Sequence, residues 1–309
     1  MPLRLTAAVA VAVLVAAATG RPVQAQFAAP SAVVRTSPQT PARGSAAWLE
    51  VQDDPSRNDQ SPLTAVGGEA AGEPLHFERR ERGFVALFGV PLEGDDTIAV
   101  ALRLSRGDRV DTTGVRLTVR QPDYPRERIT VPPKMVEYDS AMAARIEAEG
   151  LRAREVSRRS HDTPRLWSLP LALPRPGRIT SPYGGAREYN GKVTSRHTGT
   201  DFAGAVGAPV VAPTRGVVAL VADFYLAGKA VYLDHGAGLV TGYFHLSRAD
   251  VVAGDTVRVG QRIGAVGRSG RVTGPHLHWI MRYGTISLDP ISLVELGNEQ
   301  PPNSVRREK

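Results

Sequence analysis

Five of the seven histidines of this 309-residue chain fall between residues 197 and 278. They are His197, His235, His245, His276 and His278. Asp201 follows the first of them in the stretch RHTGTDF, and the last two share the stretch GPHLHW. Imidazole and carboxylate groups ligate zinc and act as general acids and bases. The clustering therefore predicts metal-assisted or acid–base chemistry.

The stretch HLH has the period of a β-strand. Successive side chains of a strand alternate between its two faces. His276 and His278 are therefore expected to point the same way, while Leu277 and Trp279 face a core. Two imidazoles side by side suit a metal ligand with a neighbouring acid or base. The alternative is an exposed histidine pair above a buried Leu–Trp pair.

The i,i+4 spacing of His197 and Asp201 would fit one face of a helix, but the Thr-Gly-Thr between them forms helices poorly. We expect instead an extended segment that enters a sheet, with both side chains on one face. A polar loop or strand edge is the alternative for this pair alone. Together with His278, the pair offers two imidazoles and one carboxylate. Three such ligands leave a fourth tetrahedral position for water, which is typical of catalytic zinc.

Further histidines could complete such a site. Zinc lowers the pKa of bound water from about 15.7 to about 7, and a second group must stabilise the oxyanion or protonate the leaving amine. His276, beside His278, and His245, in GYFHLS, are the candidates. His235, at a predicted hairpin turn, and the isolated His76 are predicted to be structural or surface residues.

Other chemistries lack their motifs. The glycine-rich GAVGRSGRVTG does not have P-loop spacing, TSPYG is not a GxSxG elbow, and HExxH does not occur. The chain has no cysteine, which excludes a disulfide framework and a lipid anchor on cysteine. The net charge of +7 suits polyanionic partners. No basic run or aromatic reader accompanies it, so no nucleic-acid function is predicted.

The N-terminus predicts the compartment. Residues 1–25 combine a basic Arg4, an uncharged apolar run and a small-x-small site ending at Ala25, as in a secretory signal peptide. The apolar run is shorter than the roughly 20 residues of a membrane helix. We therefore expect no stable membrane span after cleavage, and a secreted protein in the periplasm, outside the cell or at the cell wall. Residues 26–46 are rich in Ala, Pro, Ser and Thr and predict a disordered spacer.

The rest of the chain is predicted to be mainly β. Alternating runs such as TIAVALRL and VRLTVRQ predict a β-sandwich-like module over residues 47–132. Ser140–Arg159 is the convincing helical stretch and places a short connector helix within a linker over residues 133–166. Short strands separated by Gly, Asp and Pro predict a C-terminal antiparallel β domain over residues 167–296. Residues 297–309 are predicted to be a polar tail.

The C-terminal stretches resemble the lysostaphin/LytM-type zinc metalloendopeptidases, enzymes that cleave peptide bonds in bacterial peptidoglycan. The resemblance covers about residues 178–293. It rests on HTGTDFAGAVGAPVVAP, YLDHGAGLVTGYFHLS, GDTVRVGQRIGAVGRSGRVTGPHLHW and SLDPISL. It implies an antiparallel β metallopeptidase domain with a substrate groove over the sheet.

The resemblance also implies roles for individual residues. His197, Asp201 and His278 would hold one Zn²⁺ per chain. His276 would be the catalytic base, and His245 would be its partner in polarising water and stabilising the transition state. The implied substrates are the stem or cross-link peptides of peptidoglycan.

Two alternatives stay open. One is a non-enzymatic, wall-binding regulator of a cell-wall amidase, because degenerate members of the family lack metal ligands and because a separate N-terminal module is predicted here. The other is a zinc D,D-carboxypeptidase, which would release a terminal D-Ala. All five positions are filled in this sequence, which favours an active enzyme. The scissile bond and the oligomeric state are left open.

Overall fold

The computed structural model describes residues 31–56, 61–191 and 193–298. These residues form 21 β-strands and two α-helices, so the fold is mainly β, as predicted. The predicted signal peptide lies outside the described residues. Within the described residues, neither helix combines the length and the apolar character that a membrane span requires.

The N-terminal part is a β-sandwich of two four-stranded sheets. Its strands are β1 Ala32–Ser37, β2 Ala46–Asp53, β3 Ala65–Ala70, β4 Glu73–Pro74, β5 Glu78–Arg80, β6 Gly83–Gly89, β7 Thr97–Arg106 and β8 Arg109–Thr118. One sheet has the order β1-β2-β6-β5 and the other β4-β3-β7-β8. Ile98, Val100, Leu102 and Leu104 alternate along β7 and are all buried in the sandwich core, as their spacing predicted.

Strand β1 shows that the prediction of a disordered spacer over residues 26–46 is wrong for its described part. This strand pairs with β2 along its whole length. Ala32 is buried in the sandwich core, and Val34 packs against that core. The β-branched Val33 and Val34 favour a strand, a signal that the Ala- and Pro-rich composition around them obscured. The sandwich therefore begins well before residue 47.

A long helix follows the sandwich. α1, Ser140–Arg159, has the predicted boundaries and lies between two short 3₁₀ turns, Pro133–Met135 and Ser160–Asp162. Asp139 caps it by accepting a hydrogen bond from the backbone N–H of Met142 at 2.7 Å. The small residues Ala153 and Ser157 are its buried positions, so the helix lies close to the C-terminal sheet.

The C-terminal part is built on a ten-stranded antiparallel sheet beside a small three-stranded sheet. Its strands are β9 Arg126–Ile129, β10 Ile179–Ser181, β11 Ala186–Tyr189, β12 Val193–Arg196, β13 Thr200–Ala203, β14 Pro209–Val211, β15 Gly216–Phe224, β16 Gly228–Gly236, β17 Leu239–Ala249, β18 Thr256–Val257, β19 Arg262–Val266, β20 His276–Tyr283 and β21 Ile286–Leu288. The large sheet has the order β10-β13-β20-β17-β16-β15-β18. Outside this order, β19 pairs with β17 and β14, and β21 pairs with β20. Helix α2, Pro290–Asn298, follows. It includes the first two residues of the predicted polar tail, and the rest of that tail lies outside the described residues.

The small sheet joins distant segments of the chain. Its order is β12-β11-β9, and β9 runs parallel to β11. Residues 126–129 fall within the segment that was predicted to belong to the sandwich module. They instead form β9, which extends a sheet of the C-terminal part. The C-terminal part therefore begins before the predicted boundary at residue 132.

Candidate metal centre

His278 and Asp201 lie opposite each other on two adjacent strands. β13 and β20 are antiparallel, and their register pairs Asp201 with His278. Directly opposed residues share a face of the sheet. Leu277 and Trp279 are buried on the other face in the main core, as the HLH pattern predicted. The sheet thus presents His276, His278 and Asp201 together.

His197 lies in the three-residue connection between β12 and β13, rather than in the extended run that was predicted. Gly199 allows this connection to pass close to β20. A Cβ added at residue 199 would lie 2.7 Å from the ring of His278 and 2.7 Å from the backbone oxygen of Trp279. The glycine of HTGTD therefore makes room for the histidine that lies next to Asp201.

The three candidate ligands converge on one point. His197 Nε2 lies 3.0 Å from His278 Nδ1 and 3.1 Å from Asp201 Oδ1. His278 Nδ1 lies 2.7 Å from Asp201 Oδ1. Ligands about 2.0–2.1 Å from a tetrahedral zinc ion lie about 3.3 Å from one another. The triangle therefore has nearly the size that a small cation requires.

Hydrogen bonds determine which nitrogen of His197 faces the centre. Its Nδ1–H donates to the carbonyl of Pro182 at 2.7 Å, so Nε2 presents a lone pair to Asp201 and His278. A backbone carbonyl on the outer nitrogen is the usual arrangement of a metal-ligating histidine. The lone pair of His197 Nε2 consequently meets the carboxylate of Asp201 at a point where a proton on His278 or a metal ion must offset their repulsion.

The electrostatics suit a cation. Burial alone would raise the pKa of Asp201, but the adjoining imidazoles of His197 and His278 lower it well below its ordinary value. Burial lowers the pKa of His278 to about 4. At neutral pH the carboxylate is ionised and this imidazole is neutral, which are the states in which both groups bind metals.

His276 and His245 border the three candidate ligands. The Nδ1–H of His276 donates to the carbonyl of Gly274 at 2.9 Å, and that of His245 donates to the carbonyl of Ser269 at 2.8 Å. Each ring therefore presents Nε2 as an acceptor. The two ring centroids lie 4.9 Å apart. Burial, together with the nearby histidines, lowers the pKa of His245 to about 3.

His245 reaches this face through a break in strand alternation. Tyr243 and Leu246 of β17 both belong to the main core, so the period shifts by one residue between them. His245 takes up the shift with a φ of 61°. That left-handed conformation costs a non-glycine residue on the order of 1–3 kcal/mol. Regular alternation from Tyr243 would have placed the ring in the core.

Three polar residues that the sequence motifs did not indicate lie beside Asp201. Arg187 Nη2 donates to Asp201 Oδ2 at 2.8 Å, and Arg187 Nε donates to Glu127 Oε2 at 2.8 Å. The hydroxyl of Ser181 donates to Glu127 Oε1 at 2.6 Å. No motif marks these residues. The strand registers that pair Ser181 with Asp201, and Glu127 with Arg187, bring them together.

The remaining histidines lie elsewhere. His235 is buried, with Nδ1 2.8 Å from the carbonyl of Arg215 and Nε2 2.7 Å from the hydroxyl of Thr241, which agrees with a structural role. His76 is not isolated, as had been expected, because its Nε2 lies 2.9 Å from Nδ1 of His161.

Two depressions adjoin the candidate centre. One has a volume of about 230 Å³ and contains His245 and His278. The other has a volume of about 560 Å³ and contains Asp201 and His276. Open space for a substrate therefore adjoins the candidate ligands.

Comparison with known proteins identifies the C-terminal segment. Residues 195–290 match the sequence profile of peptidase family M23. The chain is 47% identical over 88 residues to the peptidoglycan DD-endopeptidase ShyA of Vibrio cholerae (28% of this chain, 20% of that protein). It is 39% identical over 116 residues to the DD-carboxypeptidase/endopeptidase Mpg of Neisseria meningitidis (38% and 27%). It is 38% identical over 143 residues to an uncharacterized metalloprotease of Haemophilus influenzae (44% and 29%).

The matched segments span less than a third of the length of each of these curated relatives. A solved structure from Pseudomonas aeruginosa assigned to peptidase M23 is similar over more of the chain. It has a TM-score of 0.62 and 28% identity, over 82% of this chain and 95% of that one. The similarity therefore extends beyond the matched segment. Residues 195–290 are thus similar to peptidase family M23 in sequence, and the fold that contains them is similar to a solved structure assigned to that family.

Proposed function

We propose that the chain is a zinc metalloendopeptidase that hydrolyses peptide bonds in the stem or cross-link peptides of peptidoglycan. The observation that carries the proposal is the convergence of His197 Nε2, Asp201 Oδ1 and His278 Nδ1, with two further imidazoles beside them. The name of the relative ShyA supports the substrate class.

The donor set fits one Zn²⁺ per chain. Two imidazoles and one carboxylate are ligands that zinc accepts, and three protein ligands leave a position open for water. His197, Asp201 and His278 would hold the ion. Zinc bound there would lower the pKa of a water molecule and polarise the carbonyl of the scissile peptide bond.

The neighbouring histidines would move protons. His276 presents Nε2 at 3.7 Å from Asp201 Oδ1, so it lies where it could accept a proton from the attacking water and return it to the leaving amine. The hydrogen bond from His245 Nδ1–H to the carbonyl of Ser269 leaves Nε2 of His245 free to contact a water molecule. It would orient the attacking water by accepting a hydrogen bond from it.

The two depressions beside the candidate centre favour cleavage within a substrate peptide over removal of its terminal residue. An endopeptidase must hold residues on both sides of the scissile bond, and two separate depressions adjoin the candidate centre. A D,D-carboxypeptidase is the second candidate, because the relative Mpg is named a DD-carboxypeptidase/endopeptidase. Both activities would use the same five residues.

The proposed site of action is outside the cytoplasm. The leader-like residues 1–25 and the peptidoglycan-directed names of the relatives support it. The proposed partner is the peptide part of the wall, and the mature chain would begin near Gln26.

Digestion of purified sacculi tests the proposal. Mature protein should convert cross-linked muropeptide dimers to monomers, as followed by mass spectrometry. A chelator should abolish the reaction and Zn²⁺ should restore it. The variant His197→Ala should be inactive, whereas the matched control His76→Ala should keep wild-type activity because His76 lies away from the centre.

Other products would change the assignment. Release of D-Ala from monomers with dimers left intact would indicate a carboxypeptidase. Wild-type protein that binds no stoichiometric zinc and yields no product, yet accelerates an amidase, would replace the proposal with the regulator hypothesis.

A further inference from the structure

A part-buried polar network adjoins the candidate metal centre and comes from three different strands. Ser181 ends β10, Arg187 lies in β11, and Glu127 lies in β9. All three residues precede the segment that matches the family profile, which begins at residue 195. The side chains of Arg187 and Glu127 are only 13% and 26% exposed.

The network contacts the oxygen of Asp201 that points away from the imidazoles. Oδ1 faces His197 and His278, whereas Oδ2 accepts a hydrogen bond from Arg187 Nη2 at 2.8 Å. The same nitrogen lies 2.8 Å from the hydroxyl of Ser181. The two oxygens of the carboxylate thus have different partners, and the contact with Arg187 restricts rotation of the carboxylate.

Glu127 fixes Arg187 in turn. Its Oε2 accepts from Arg187 Nε at 2.8 Å, and its Oε1 accepts from Ser181 at 2.6 Å. The planar guanidinium group is therefore held on two sides, by Asp201 at one nitrogen and by Glu127 at another. A guanidinium fork can satisfy several oxygens in a fixed geometry, which an ammonium group cannot do.

Charge alone gives no reason for an arginine at this place. A cation next to a metal site opposes binding of the metal ion. Orientation does give a reason, since partners outside the ligand set hold ligands in their binding geometry and their loss typically weakens metal affinity. Glu127 also offsets the charge of Arg187 beside the site.

We propose that Arg187 and Glu127 are positioning residues of the metal centre, so that full metal affinity requires β9, a strand supplied from outside the matched family segment. Arg187 orients Asp201, and Glu127 orients Arg187. The inference rests on the proposed function, because it assumes that His197, Asp201 and His278 bind a metal ion.

Zinc affinity of the full mature chain tests the proposal. The affinity is measured by competition with a chromophoric chelator for wild type, Arg187→Ala, Arg187→Lys and Glu127→Gln. We expect Arg187→Ala to bind zinc about 10- to 100-fold more weakly. Arg187→Lys should be nearly as weak, because lysine restores the charge and not the fork. Glu127→Gln should weaken binding in the same direction by a smaller factor.

The matched control is Glu188→Gln. Glu188 neighbours Arg187 in β11, but its partner Arg128 is 3.8 Å away and exposed, so its loss should leave zinc affinity unchanged. The visible absorption spectrum of Co²⁺-loaded protein is the second readout, since it reports ligand geometry. It should change in Arg187→Ala and stay as in wild type in Glu188→Gln. Thermal unfolding of the metal-free variants separates a local change from a loss of fold.

Several results would overturn the inference. Unchanged or tighter zinc binding by Arg187→Ala and Glu127→Gln would show that the network does not position Asp201. Full recovery by Arg187→Lys would show that only charge matters. A wild-type chain that binds no stoichiometric metal would instead overturn the proposed function, so the two failures are distinguishable.

Discussion

Two clusters in this molecule contain the same groups, two histidines and a carboxylate, and their shapes differ. In the candidate metal centre one atom of each side chain points at the same spot, and these three atoms lie within 3.1 Å of one another. In the other cluster, which we call the junction chain, Glu73, His161 and His76 follow one another in a line. Glu73 Oε2 lies 2.9 Å from His161 Nε2, and His161 Nδ1 lies 2.9 Å from His76 Nε2.

The linear arrangement can be satisfied by the protein alone. Each nitrogen of His161 faces one partner, and Glu73 also accepts a hydrogen bond from the backbone N–H of Thr285 at 2.8 Å. Glu73 belongs to the sandwich, His161 follows α1 and Thr285 lies between β20 and β21. The junction chain therefore connects three parts of the fold, whereas the convergent cluster brings three side chains to one point where a metal ion could bind all of them. Residue types alone do not distinguish the two functions; the direction of the lone pairs does.

The largest expected difference between the clusters is in catalysis. His278→Ala removes a candidate ligand, so we expect loss of zinc binding and a fall in kcat/KM on the order of 10³-fold or more, since a metal ion contributes several kcal/mol to transition-state stabilisation. His161→Ala should keep its zinc and lose about 1–3 kcal/mol of unfolding free energy, because buried groups lose a partner. Metal analysis, muropeptide kinetics and urea unfolding measure these effects. Loss of zinc from His161→Ala would show that the clusters are coupled.

Metal should stabilise the fold through one cluster only. Zinc at about 100 times its dissociation constant should raise the free energy of unfolding by about 2.7 kcal/mol. Glu73→Gln should start from a lower stability and show the same increment, because Glu73 contacts His161 and Thr285 rather than the candidate ligands. Urea unfolding with zinc and with chelator measures both values. An increment that disappears in Glu73→Gln would place the junction chain within the metal site.

A steric change should separate the centre from the rest of the fold. Gly199→Ala adds a Cβ 2.7 Å from the backbone oxygen of Trp279, which cannot move independently of β20. The connection that carries His197 must then shift, so we expect zinc affinity to fall about 10-fold or more. Gly67→Ala is the matched control, since no atom lies within 4 Å of its added Cβ. Equal zinc affinity in both variants, measured by chelator competition, would contradict the close approach at Gly199.

The features that could be predicted from sequence are those encoded by a short repeat in the order of apolar and polar residues. The alternation of HLH predicted the shared face of His276 and His278, and the helical pattern gave the limits of α1. Features that depend on register or on backbone irregularity have no local signal. The pairing of Glu127 with Arg187 joins strands that are distant in the chain, and the position of His245 depends on a single left-handed residue.

The smallest expected effect is the pH dependence of stability, in which Asp289 and Glu73 should act in opposite directions. Burial raises the pKa of Asp289 to about 6. The native state then holds this proton more tightly than the unfolded state does, so the contribution is present at low pH and is lost as the pH rises through about 6. Burial alone would raise the pKa of Glu73, but hydrogen bonds from His161 and Thr285 lower it. Its contribution is therefore present at neutral pH and is lost on acidification.

Two variants should reveal these opposite slopes in metal-free protein. From about pH 4 to about pH 7, the stability of wild type relative to Asp289→Asn should fall by on the order of 1–2 kcal/mol, after allowance for solvent around a half-buried group. The stability of wild type relative to Glu73→Gln should rise over the same range. Urea unfolding at several pH values measures both differences. Parallel slopes would mean that the junction chain does not hold Glu73 ionised, and its distinction from the metal centre would then rest on geometry alone.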